Sequence, residues 1–148
     1  KLRYYHDEIG FNMRMGGLEA ASLGVKLKYL QSWNTARREI AARYLEKIKN
    51  PKIKMQFQPS WSESIFHLFV ILTEERDHLI EYLNSKNIYP ALHYPVPCHL
   101  QKAYHSLNYK KGDCPNAEYL SDHCLSLPMF AELSTEEVDY VIDVINQY

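Results

Sequence analysis

The feature that most constrains the fold is a run of apolar residues at helical spacing across residues 17–49. The residues that recur every three to five positions are Leu18, Ala21, Val25, Leu30, Trp33, Ala36, Ile40, Tyr44 and Ile48. This spacing predicts one long helix or two helices in line, ended by Asn50-Pro51. A continuous helix over this span would be about 50 Å long, which is more than a compact domain of this size needs for its own core. We therefore expect the helix to pack on something outside this sequence.

After Pro51 the sequence predicts short strands and helices in alternation. The strands are expected at residues 52–55, 64–72, 88–93 and 125–128, and helices at 74–86, 100–107 and 115–124. Thr73 is positioned to cap the first of these helices, and the second strand is expected to be buried on both faces, with His67 as a hydrogen-bonded core histidine. Ser134 and Glu137 form a capping box that opens a last helix.

This order predicts an α+β fold with a small sheet covered on one face by helices. We expect two parts, namely an arm and long helix over residues 1–49 and a small carboxy-terminal domain over residues 50–148.

Composition excludes several classes of protein. A formal net charge of -1 gives no electrostatic case for nucleic acid or for an anionic membrane surface. The apolar run 65–72 is far shorter than the roughly 20 residues needed to cross a bilayer, so no membrane association is expected. Three cysteines without a CxxC pair predict neither structural zinc nor a disulfide scaffold, and they indicate a reducing, cytoplasmic setting. No metal site is expected.

The start of the sequence, Lys1-Leu2-Arg3, has neither an initiator Met nor a signal peptide pattern. We expect it to be a piece of a longer protein.

Two histidines flank a turn that prolines make rigid. His93 precedes Tyr94-Pro95-Val96-Pro97, and His99 follows it. His93 ends a predicted strand, where functional residues often lie, and a plain loop position is the alternative. For His99 the residues alone favour an exposed loop histidine. The other histidines outside the buried strand are interpreted as surface residues: His6, His78, His105 and His123.

Asn12 and Arg14 lie just before the start of the long helix. An amide and a guanidinium beside a helix N-terminus suit a phosphate or carboxylate. The alternative is that they only hold the loop or cap the helix. No glycine-rich nucleotide loop and no GxSxG motif is present, so the residues give no nucleophile.

Several segments form an ordered set of motifs along the chain, at residues 5–15, 18–21, 37–44, 67–70, 93–97, 99–101 and 125–129. In sequence and in order they resemble the DegT/DnrJ/EryC1/StrS family of sugar aminotransferases. The segment His93-Tyr94-Pro95-Val96-Pro97 is most similar to that of the nucleotide-linked 3-keto-6-deoxyhexose transaminases. Two departures from the family pattern, Gly16-Gly17 and Glu19, affect the start of the long helix.

The resemblance implies the carboxy-terminal portion of a fold-type I enzyme that uses pyridoxal 5'-phosphate. Such enzymes are homodimers, here through the arm and long helix, and they aminate a nucleotide sugar with glutamate as the usual amino donor. The Schiff-base lysine segment is not in this sequence, so we expect no catalytic residue here and no turnover by this chain alone.

The resemblance also assigns roles to particular residues. It implies that Asn12 contacts the cofactor phosphate of the partner subunit, and that Arg14 supports that contact or binds the nucleotide diphosphate. His93, Tyr94 and His99 are implied to line the substrate pocket. Two other hypotheses remain open, namely a non-catalytic sugar-nucleotide-binding or regulatory protein and a domain used only for association.

Overall fold

The computed structural model describes residues 11 and 13–148, which fall into two compact units, Lys1–Gln31 and Ser32–Tyr148. The predicted long helix is two helices, α1 (Gly17–Leu27) and α2 (Leu30–Lys47), separated by a turn at residues 28–29. The division into residues 1–49 and 50–148 stays a prediction.

Helix α1 buries none of its side chains within this chain. Its apolar residues Leu18, Leu23, Val25 and Leu27 are all exposed. At its start Gly16 offers no side-chain cap, but the Glu19 carboxylate accepts a hydrogen bond from the Gly16 amide at 3.1 Å. Glu19, one of the two departures from the family pattern, therefore satisfies one of the free amides at this helix terminus.

The unit Ser32–Tyr148 is built on a three-stranded antiparallel sheet of β1 (Lys54–Met55), β2 (Phe69–Leu72) and β3 (Cys124–Leu127), in that order. Its helices are α2 after residue 31, α3 (Arg76–Ser85), α4 (Pro115–His123) and α5 (Thr135–Gln147), with 3-10 turns at Cys98–Leu100 and Lys102–Leu107. The register pairs Phe69 with Leu127 and Leu72 with Cys124. The predicted α+β class is confirmed.

The core lies between this sheet and the helices. Ile40, Ala41 and Tyr44 of α2 are buried in it with residues of α3 and α5. The Tyr44 ring packs 5.0 Å from that of Phe69, and its hydroxyl donates to the carbonyl of Pro128 at 3.0 Å. The carboxy-terminal half of α2 is thus part of the small domain's core.

The strand expected at residues 64–72 is much shorter than predicted. Phe66 has a φ of 47°, in the left-handed region, which a strand cannot accommodate, so β2 begins only at Phe69. Within β2 burial alternates rather than being complete on both faces. His67 lies before the strand and is exposed, so its interpretation as a core histidine was wrong.

Two further boundaries differ from expectation. The strand predicted at residues 88–93 is a single bridge between Ala91 and Ser126. Thr73 does not cap α3, which begins at Arg76; its hydroxyl instead accepts from the Glu75 amide at 3.3 Å. Within residues 11 and 13–148, no helix is both long and apolar enough to span a membrane.

Candidate functional site

The segment from His93 to His99, which we name the proline turn, is fixed at its first end by β3. The His93 Nδ1 atom lies 2.9 Å from the hydroxyl oxygen of Ser126. Ala91 and Ser126 also exchange two backbone hydrogen bonds, of 3.0 and 2.8 Å. Because Ser126 belongs to the buried strand β3, the turn begins from a rigid support.

The second end of the proline turn is fixed by α4. His99 Nε2 lies 2.9 Å from the Oε1 atom of Glu118, and the two side chains are only 8% and 12% exposed. The same Oε1 accepts from the Gly112 amide at 2.8 Å and from the Cys114 amide at 3.3 Å. The Gly112 amide and the His99 imidazole hold the pKa of the Glu118 carboxyl below its ordinary value.

Between these ends the proline turn presents Tyr94 to solvent. Tyr94 is 71% exposed, and the centre of its ring lies 5.4 Å from the centre of the His93 ring in an edge-on arrangement. Gln101 braces the turn from the following segment, since its Nε2 donates to the Val96 carbonyl at 3.3 Å. This surface can offer an aromatic face and a phenol hydroxyl to a ligand.

Both ends of the turn are therefore held by one continuous helix and strand, α4 and β3. Helix α4 is itself tied to the beginning of α3: His123 Nε2 lies 2.9 Å from Glu74, and the Tyr119 hydroxyl donates to the same carboxylate at 3.0 Å. The His123 side chain is 21% exposed and that of Glu74 is 76% exposed, so this contact lies at the surface, where His123 was expected. A support of this kind keeps a binding surface in one conformation.

Arg14 lies in the other unit, three residues before α1, and is exposed. Asn12, its predicted partner in phosphate binding, lies outside the described residues. A guanidinium suits the phosphate of pyridoxal phosphate, but the nearby Gly16 amide is already bound by the Glu19 carboxylate. Among the described residues, Arg14 is therefore suited to one contact with that phosphate, and these residues do not form the whole phosphate-binding site.

Two residues of the proline turn's support, Glu118 and Ser126, were not singled out from the sequence. Pro115 and a following acid do indicate a helix start, but nothing in the sequence indicates that a loop folds back onto Glu118. The exposed-loop interpretation of His99 was wrong for the same reason, because His99 is covered by its partners on α4.

A metal site and a surface cleft are two other places where a ligand could bind. No three His, Cys, Asp or Glu side chains among residues 11 and 13–148 are grouped as metal ligands. A surface cleft of about 500 Å³ is lined by Tyr89, Phe130 and Tyr140, and none of the described residues predicted to bind substrate or cofactor lines it.

Comparison with known proteins identifies the family. Residues 1–146 match the DegT/DnrJ/EryC1/StrS aminotransferase family. The chain belongs to this family. The resemblance seen in the sequence segments is thus confirmed, and so is the expected fold of a carboxy-terminal aminotransferase domain. The crystal structure of DesV from S. venezuelae superposes on this chain with a TM-score of 0.89 at 34% identity, over 99% of this chain and 40% of DesV.

Two curated relatives show 41% identity to this chain over most of its length. The erythromycin biosynthesis sensory transduction protein EryC1 of Saccharopolyspora erythraea matches over 96% of this chain and 39% of its own length. The dTDP-3-amino-3,6-dideoxy-alpha-D-galactopyranose transaminase of Aneurinibacillus thermoaerophilus matches over 94% and 38%. The chain thus spans about two fifths of the length of these relatives.

Proposed function

We propose that the full-length protein is a pyridoxal phosphate-dependent transaminase that aminates a nucleotide-linked keto-deoxysugar, and that this chain is its carboxy-terminal part. The observation that carries the proposal is the family match over residues 1–146, together with 41% identity to a relative named as a dTDP-sugar transaminase. Fold alone would not support an activity, since one fold hosts many functions.

Within that protein this chain would contribute binding rather than chemistry. When bound, pyridoxal phosphate supplies the electron sink that lets an amino group pass from donor to acceptor. The Schiff-base lysine would come from the rest of the protein. Asn12 would contact the cofactor phosphate of the partner subunit, and Arg14 would support that contact or bind the nucleotide diphosphate. The chain alone would therefore show no turnover.

The proline turn would line the substrate pocket through His93 and Tyr94, with His99 fixing its second end. Its exposed tyrosine and its two fixed ends support this role, because a sugar-binding surface must hold its polar groups at defined positions. Glutamate would be the amino donor.

Assembly as a homodimer would cover the exposed apolar residues of the arm and long helical segment in residues 1–49, while residues 50–148 would form the small domain. The exposed apolar residues of α1 support this arrangement. The protein would act in the cytoplasm.

The test is a visible absorption spectrum of the purified full-length protein with pyridoxal phosphate. We expect a visible band that glutamate bleaches and that the 148-residue chain alone does not develop. A full-length protein that shows no such band, or a band that glutamate leaves unchanged, would contradict the proposal.

A second function is favoured by one comparison. The relative EryC1, also 41% identical, is named as a sensory transduction protein. The alternative is a non-catalytic sugar-nucleotide-binding or regulatory protein with the same fold. Binding of a nucleotide sugar without amination would favour this alternative.

A further inference from the structure

We propose that Glu118 is a positioning residue, which fixes the second end of the proline turn through His99 and so sets the affinity for the nucleotide sugar. The inference rests on the proposed function in so far as that function places the turn in the sugar-nucleotide pocket. It goes further by assigning a role to a residue that does not face the ligand surface.

The first step of the argument concerns what Glu118 holds. Its Oε1 atom accepts from the His99 imidazole at 2.9 Å and from the Gly112 amide at 2.8 Å, while its Oε2 also lies 3.0 Å from that amide. Gly112 has a φ of 98°, which glycine adopts without strain. One carboxylate therefore joins the loop before α4 to the end of the proline turn.

The second step concerns His99 itself. A carboxylate only accepts hydrogen bonds, so the His99 Nε2 atom must carry the proton that it donates to Glu118. The ring is 8% exposed and packs edge-on against Tyr109 at 6.2 Å. With that nitrogen committed and the ring covered, His99 acts by holding the backbone of the turn.

The third step concerns energy. Shielding a carboxylate from water costs free energy that a hydrogen-bonded partner only partly returns, so such a pair is a weak source of stability. Its more distinctive effect is to allow one geometry of the groups it joins. Here those groups are the proline turn, which carries the exposed Tyr94, and the Gly112 loop.

The test measures the dissociation constants of dTDP-glucose and UDP-glucose for the full-length protein by calorimetry. For whichever probe the wild type binds, Glu118→Ala should raise the constant about tenfold, because the end of the turn must then be ordered when the ligand binds. The rate at which glutamate bleaches the cofactor band should stay within about twofold of wild type, because that half-reaction does not use the turn.

Glu118→Gln is the conservative rescue. The His99, Gly112 and Cys114 donors all reach Oε1, which an amide oxygen can replace, and only the longer Gly112 contact to Oε2, at 3.0 Å, would be lost to the amide nitrogen. Its dissociation constant should lie within about threefold of wild type. Asp122→Ala is the matched control, because it removes an exposed acid from the same helix, α4. Its affinity should equal that of wild type.

His99→Ala supplies a second line of evidence in case Glu118→Ala folds poorly. It should weaken nucleotide-sugar binding to the same degree, and the double variant should be no weaker than either single variant, since the two residues act as one unit. A double variant whose dissociation constant rises by the product of the two single-variant increases would overturn the inference. So would a Glu118→Ala protein with wild-type affinity, or one in which the glutamate half-reaction is lost equally.

Amide hydrogen exchange separates failure of the inference from failure of the proposed function. In Glu118→Ala the Gly112 and Cys114 amides should exchange about tenfold faster, while the Ala91 and Ser126 amides keep their protection. A wild-type protein that binds the probe but never transfers an amino group would contradict the proposed transaminase activity. The faster amide exchange in Glu118→Ala would still support the positioning role. A wild-type protein that binds neither probe, or unchanged exchange at Gly112, would overturn the positioning role.

Discussion

The His93 imidazole and the Ser126 hydroxyl lie 2.9 Å apart, which joins the first residue of the proline turn to the middle of the buried strand β3. Ser126 is 4% exposed, so its hydroxyl has almost no access to water. A buried hydroxyl of this kind is normally paired, and here its partner is a residue that the sequence predicts to bind substrate.

Ser126→Ala should therefore loosen the start of the turn with a small cost to the fold. We expect the free energy of unfolding of the 148-residue chain to fall by about 1 kcal/mol, the usual net value of one hydrogen bond. In the full-length protein the KM for the nucleotide sugar should rise while the KM for glutamate does not. Ser106→Ala, at an exposed serine, is the control and should change neither quantity. An unchanged KM for the nucleotide sugar in Ser126→Ala would contradict the role given to His93.

Tyr94→Ala tests the exposed part of the proline turn. Tyr94 is 71% exposed, so its removal should leave the unfolding midpoint in urea unchanged and raise the KM for the nucleotide sugar about tenfold, as expected when one aromatic contact to a ligand is lost. Tyr89→Ala is matched in residue type and exposure, at 70%, but lies outside the turn. Equal effects of the two substitutions would show that Tyr94 has no special place in binding.

Helix ends and strand ends were predictable from the sequence to different degrees. The capping box of Ser134 and Glu137 forms as expected, because its two hydrogen bonds depend only on local spacing. The strand at residues 64–72 was predicted too long because Phe66 adopts a left-handed conformation, and a phenylalanine in an apolar run gives no sign of this. Local chemistry thus fixed α5, whereas tertiary packing decided where β2 begins.

Asp139 joins α5 to α2 and should make stability depend on pH. Its carboxylate accepts from Arg43 Nε at 2.6 Å, and this hydrogen bond lowers the pKa of Asp139. A carboxyl with a lowered folded-state pKa stabilises the fold above its unfolded pKa of about 3.9, and this contribution is lost as the pH falls through the folded-state value.

Asp139→Asn should accordingly lower the urea midpoint at pH 7, and the difference from wild type should disappear under acid conditions where Asp139 is protonated. Urea unfolding at a series of pH values measures this. Asp143→Asn, at an exposed acid on the same helix, is the control and should follow wild type. A difference that persists undiminished at low pH would contradict the ion pair's role.

The buried phenol of Tyr44 should make the stability of the fold sensitive to alkaline pH. Burial raises the pKa of its phenol, so the folded state keeps a proton that the unfolded state releases above about pH 10. Stability from this group is present below that pH and is lost as the pH rises. In Tyr44→Phe the free energy of unfolding at pH 7 should be about 1 kcal/mol lower than in wild type, because the Pro128 carbonyl loses its hydrogen-bond donor. Above about pH 10 this free energy should fall less steeply with pH than it does in wild type. Tyr89→Phe should match wild type, and a parallel decline in all three proteins would exclude Tyr44 as the source.

The candidate site was predictable only in part. The prolines around Tyr94 indicate a rigid turn, and His93 and His99 could be placed at its ends from the sequence. The partners that fix those ends, Ser126 and Glu118, lie 33 and 19 residues away along the chain. Contacts across such distances depend on how α4 and β3 pack, and periodicity in one sequence does not report that packing.

Amino transfer from labelled glutamate tests the proposed function most directly. The full-length protein is incubated with pyridoxal phosphate, 15N-labelled glutamate and a dTDP-linked 3-keto-6-deoxyhexose, and the nucleotide-sugar product is analysed by mass spectrometry. We expect an amino sugar that carries the label, and none from the 148-residue chain alone. A full-length protein that binds the nucleotide sugar and the cofactor yet yields no labelled amino sugar would contradict the transaminase and favour the regulatory alternative.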